Sequence, residues 1–122
     1  MSDLQPVFAA LSSILRPYAA TLDMKTDSPT ELYVDTRHIM KSKKPLFFGA
    51  VQIRKNYVAF HFMPIYLQPA LLDSVSPELL RHMQGKSCFN FTVTDEPLFG
   101  ELAALVEAGY ASYREEGYIR KH

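Results

Sequence analysis

Leu4, Val7, Phe8, Leu11, Ile14, Leu15 and Tyr18 recur three and four positions apart, the spacing of one helix face. Ser2 or Asp3 can cap its start by accepting backbone N–H groups. Pro17 should end or kink it, because proline lacks an N–H and clashes with the preceding turn. The pattern predicts a helix over about residues 3 to 20. After the turn-rich TDSP, the alternating ELYVD of residues 31–35 reads as a strand and the basic stretch 36–44 as a loop. Next comes PLFFGAVQIRKNYVAFHFM (45–63), two β-rich runs about a turn at Lys55-Asn56, where asparagine tolerates positive φ.

That turn dictates a register: Ile53 opposite Val58, Gln52 opposite Ala59, Val51 opposite Phe60, Ala50 opposite His61 and Gly49 opposite Phe62. Strict alternation then gathers Phe47, Gly49, Val51, Ile53, Val58, Phe60 and Phe62 on an apolar face. Phe48, Ala50, Gln52, Arg54, Tyr57, Ala59, His61 and Met63 share a mixed one. A slip of one residue would exchange the faces, so burial of the apolar set holds the pairing.

Residues 64–76, with prolines and leucines, read as an irregular crossing with a helical turn near 67–73. Ser76-Pro77-Glu78 has the form of an N-cap followed by proline at the first helical position. Leu79, Leu80 and Met83 give that short helix a buried side, and Gly85 stands where a positive-φ stop is expected, with Lys86 at the helix's negative end. The polarity is wrong for a phosphate loop, in which glycine-rich backbone opens onto a helix N-terminus rather than following one. SCFNFTV (87–93) alternates, sending Phe89, Phe91 and Val93 to the core and Cys88 and Asn90 to the mixed face. Thr94 or Asp95 then caps a last helix whose stripe runs from Leu98 to Tyr113, with Gly117 as its stop. The expected fold is α+β. It has an antiparallel sheet of about four or more strands with N- and C-terminal helices packed on one face, in the order α-β-β-β-α-β-α, as one domain over residues 1–122.

Composition changes this picture little. Hydrophobic residues make up 48% of the 122, enough for a core, and thirteen basic side chains balance thirteen acidic ones. Without a net field the chain is not expected to bind nucleic acid or an anionic membrane; the local cluster Arg37, Lys41, Lys43 and Lys44 reads as a solvated loop. The single cysteine excludes an internal disulfide and multi-cysteine metal sites. With no signal peptide and no membrane-length apolar run, the reading is cytoplasmic.

Candidate chemistry therefore concentrates on the mixed face: Tyr33, Asp35, Gln52, Arg54, Tyr57, His61, Cys88 and Asn90. Tyr33, Gln52, Tyr57, His61, Cys88 and Asn90 are the candidate ligand-binding residues, aromatic walls with a few polar groups. Cys88 and His61 could form a nucleophile–base pair if they meet. His38, His61, His82 and His122 lack metal-ligand spacing, so no metal site and no cofactor is expected.

VAFHF (58–62), PELLRHMQGKSCFNF (77–91) and AGYASYREEGY (108–118) together resemble the YdhG-like small bacterial domains of unknown function over roughly residues 30 to 118. The resemblance implies an α+β fold with an antiparallel sheet. Some members are described as frataxin-like iron-binding proteins, and no catalytic residues transfer. Such iron sites use an acidic ridge on the first helix, where this chain has one carboxylate, Asp3. The expected function is a binding domain for a small molecule or a partner, a second copy of itself included. Iron or divalent-metal binding and a Cys/His enzyme are the alternatives.

Overall fold

The computed structural model describes residues 3–119, so Ser2 and His122 lie outside the described residues. Helix α1 (Gln5–Leu15) leads through a 3-10 turn (Arg16–Thr21) into strands β1 (Asp23–Asp27), β2 (Glu31–Ile39), β3 (Pro45–Ile53) and β4 (Val58–Phe62). Two short helices, α2 (Pro64–Leu67) and α3 (Pro77–Leu80), flank a second 3-10 turn (Pro69–Ser74) before β5 (Cys88–Phe91) and α4 (Glu96–Glu115). The strands form one antiparallel sheet in the order β1-β2-β3-β4-β5. Helix α1 packs on β3, β4 and α4, while α2 and α3 pack on α4, so the helices make a single layer and leave the other sheet face open. This is the expected α+β arrangement with both terminal helices on one face.

Local signals explain most boundaries. Asp3 accepts the Gln5 N–H (3.0 Å) at the start of α1, and the helix tightens to 3-10 geometry at Arg16-Pro17. Ser76 accepts the Leu79 N–H (3.2 Å) and Asp95 the Leu98 N–H (3.1 Å), each with proline just inside the helix. Helix α4 ends in a Schellman motif: Tyr118 N–H donates to Tyr113 O (2.8 Å), Gly117 N–H to Arg114 O (3.1 Å), and Gly117 takes φ +86°. The ring of Tyr118 closes on that of Tyr113, centroids 5.3 Å apart.

The β3–β4 hairpin has the expected register, pair for pair. Phe60 and Phe89 are fully buried, and His61 pairs with Cys88 on the opposite face. The turn is closed by Arg54 N–H donating to Tyr57 O (2.8 Å). Asn56 does not take positive φ; Lys43, at +69°, is the non-glycine residue that does so among the described residues.

Four expectations need correction. β1 is an additional strand: in DMKTD, Met24 and Thr26 are partly buried between charged neighbours. β2 continues to Ile39 through what reads as loop, held by the buried Thr36, whose hydroxyl donates to Leu46 O (2.8 Å). β3 carries a bulge, since Val34 pairs with Gly49 but Asp35 with Phe47, leaving Phe48 as the extra residue. Phe48 therefore enters the core, edge-on to Phe62 (5.3 Å) and Tyr113 (5.9 Å), and Phe47 crosses to the open face, the reverse of simple alternation. Finally, α3 stops at Leu80, well before Gly85. Residues 82–84 fold back along β5, with Asn90 N–H donating to His82 O (2.8 Å) and Gln84 N–H to Cys88 O (2.9 Å). Gly85, at φ +78°, makes that reversal. Lys86 is thus in a turn rather than at a helix end. β5 ends at Phe91, and Val93 lies beyond it, 65% exposed.

Candidate functional site

The open face is built in cross-strand rows. One runs Thr26–Tyr33–Ala50–His61–Cys88 across all five strands. The next runs Glu31–Gln52–Ala59–Asn90 across four. Beyond the bulge, Asp23, Asp35 and Phe47 form a third. The structure thus brings Tyr33, Gln52, His61, Cys88 and Asn90 onto one surface, and Tyr57 stands partly buried beside Val58 at its margin.

The centre of this face is two alanines, Ala50 and Ala59, which their larger neighbours leave 1% and 3% exposed. Tyr33 and Phe47 stack beside them with centroids 4.8 Å apart. Glu31 and Arg54 both bond the Gln52 side-chain amide, which locks its orientation. Phe47 belongs to this surface although alternation assigns it to the core. The only signal for it in the sequence is the pair of adjacent phenylalanines before glycine.

Electrostatics keep the middle of the face uncharged. Burial, helped by the charge of Arg54, lowers the pKa of His61 from its ordinary 6.5, so the imidazole is neutral at pH 7. Burial pushes the Cys88 thiol up, against weaker opposing effects of Arg54 and a Phe60 backbone hydrogen bond, so it stays protonated. Its sulfur contacts Asn90 Oδ1 (3.5 Å) and Phe89 O (3.9 Å); no hydrogen bond joins it to His61 among the described residues. Nucleophilic attack needs the opposite protonation, a thiolate beside an imidazolium. Charge gathers instead at the margins: Asp23, bonded to Lys25 (2.7 Å), with Asp35 and Glu31 on the β1–β2 side, and Arg54 toward His61 and Cys88.

Two cavities lie elsewhere. One of about 540 Å³ lies between Thr21, residues 37–39 and residues 117–119, and one of about 230 Å³ between α2 and the end of α4. Among the described residues no group of three or more His, Cys, Asp and Glu side chains is placed to hold a metal ion, and no helix is long and apolar enough to cross a membrane. Comparison with models of known families, with curated proteins and with solved structures finds no match to this chain.

Proposed function

We propose that the protein is a non-catalytic binding module whose contact surface is the open face of its sheet, and that the partner this face fits is a second copy of the chain. The observation carrying the reading is the distribution of charge. Tyr33, Phe47, Ala50, Ala59, His61, Cys88 and Asn90 form an uncharged patch that reaches from β2 to β5 and is bordered by charge on the β1–β2 side and at the β3–β4 turn, as in a protein–protein interface. The margin is acidic on the β1–β2 side and carries Arg54 at the β3–β4 turn, where its side chain bonds Gln52. Two sheets stacked face to face about a two-fold axis bury this uncharged patch against its own copy.

Neither of the two cavities opens on this face, which favours a flat partner over an enclosed small molecule there. The metal reading, which enters with the likeness to YdhG-like domains, needs clustered hard donors, and the described residues supply no such group. The enzyme reading needs an activated thiol, and Cys88 has the opposite shift.

Size-exclusion chromatography with light scattering tests the proposal. The expected result is a dimer that becomes a monomer when Tyr57→Lys and Asn90→Lys are introduced together, with the circular dichroism spectrum unchanged. A wild-type chain that stays monomeric over about 1 μM to 1 mM contradicts it. So does a dimer that survives both substitutions.

A further inference from the structure

Strand β2 loses its outer neighbour after Asp35, because β1 begins at Asp23 and pairs with Asp35 there. Between Asp35↔Phe47 and Ile39↔Pro45, β2 advances four residues while β3 advances two. Thr36 fixes this second bulge, its hydroxyl donating to Leu46 O (2.8 Å) and accepting the His38 N–H (3.2 Å). Residues 37–39 therefore run with no strand on the β1 side. Facing them across the gap are Thr21, at the end of the first 3-10 turn, and Tyr118 and Ile119, directed there by the Schellman exit of α4. The space between is the 540 Å³ cavity, within the range of about 300–1,000 Å³ usual for small-molecule sites.

Its walls are of two chemical kinds. Arg37 lines it, exposed, with no carboxylate partner among the described residues, and none of the residues lining it is acidic. Lys41, Lys43 and Lys44 follow in an exposed turn tied by Met40 N–H to Lys44 O (2.9 Å) and Lys43 N–H to Met40 O (2.9 Å), adding positive potential beside it. The remaining wall is apolar and aromatic. Ile39 is 57% exposed and Ile119 buried, and the Tyr118 ring is held between Tyr113 and the imidazole of His38, 4.9 Å away.

We propose that this cavity binds a small molecule that joins an oxyanion head, phosphate or carboxylate, to an apolar or aromatic body. Arg37 holds the head, since a guanidinium matches both oxyanions in a two-point hydrogen bond. Tyr118, Ile39 and Ile119 receive the body. The site shares no residue with the open sheet face and stands or falls separately from it.

Amide NMR of the full chain, titrated separately with phenyl phosphate, phenylacetate and inorganic phosphate, tests this. The expected result is saturable shifts at Thr21, residues 37–39 and residues 117–119 with one of the two aromatic probes, and weaker binding of inorganic phosphate. Which aromatic probe binds tighter identifies the head group. Arg37→Gln should weaken binding about tenfold or more, because a charged hydrogen bond is lost, while Lys55→Gln leaves it unchanged. No saturation by about 10 mM overturns the proposal, as does equal binding by Arg37→Gln. Shifts confined to residues 41–44 that disappear with added salt overturn it too, as non-specific charge attraction.

Discussion

Asp35 is 7% exposed, the buried charged side chain among the described residues, and it lies beside Asp23 on the open face. Burial raises its pKa above the ordinary 3.8, Lys25 opposes that and Asp23 adds to it. A carboxyl whose folded-state pKa is raised favours folding below its unfolded value and loses that contribution as pH rises through the folded one. Asp35→Asn should therefore raise the melting temperature at pH 7, and the gain should shrink to nothing below the ordinary carboxylate value. A variant less stable than wild type at pH 7 would show that the carboxylate is held by favourable partners instead. Single residues are also where sequence reading went astray. Alternation assigns Phe47 inward and Phe48 outward, and one bulged residue reverses both. Nothing local in the chain prefers a bulge at Phe48. It is stabilised by distant contacts, the Tyr113 hydroxyl donating to Phe47 O (2.9 Å) and the Phe48 ring packing among Tyr18, Tyr110 and Phe62.

At the scale of elements, α4 contains two glycines with opposite reasons for being there. A Cβ at Gly109 would stand 2.5 Å from the Phe62 ring and 2.8 Å from Pro64, whereas at Gly100 it would meet nothing within 4 Å. Alanine is the better helix former at both positions. Gly100→Ala should stabilise the protein by about 0.5–1 kcal/mol. Gly109→Ala should destabilise it by roughly 1–3 kcal/mol, because overpacking outweighs propensity. Urea denaturation measures both, and equal effects would show that α4 does not approach β4 this closely. The elements read best from sequence were those with local causes: the hairpin, whose turn sets its register, and the proline-led helices with their side-chain caps. β1 was missed because it is rich in charge and a register shift between Met24 and Thr26 breaks its alternation. Those charges suit an edge strand, discouraging pairing with another chain; Arg16, just after α1, bonds Asp27 through two nitrogens (2.9 and 3.1 Å). The opposite edge is covered differently, by residues 82–84 folding back on β5. That reversal could not be read from a glycine that equally suits a helix stop.

For the whole molecule, the two-layer design follows from one-sided burial: the phenylalanines of β3, β4 and β5 meet the apolar stripes of α1 and α4, and the other sheet face is left to contact something else. Which side chains lie on that face was legible from the pleat except at the β3 bulge, where Phe47 and Phe48 exchange, and the pairing of His61 with Cys88 follows from it. That the imidazole is held neutral and the thiol protonated was not legible, because protonation depends on burial and on the charge of Arg54 at the hairpin turn. The 540 Å³ cavity was equally hidden, since its walls lie far apart in the chain and meet through the β2 bulge after Asp35 and the exit of α4. Cys88 offers the most direct test of the contact-face account, because its partly buried thiol is a native probe on that face, on strand β5. Its rate of reaction with a disulfide reagent, near pH 8 so that some thiolate is present, should fall as protein concentration rises, in step with the dimer fraction from light scattering. The double variant with Tyr57→Lys and Asn90→Lys should react at one rate throughout. If the mass doubles while the thiol rate stays constant, the dimer forms through another surface and the open sheet face is not the contact.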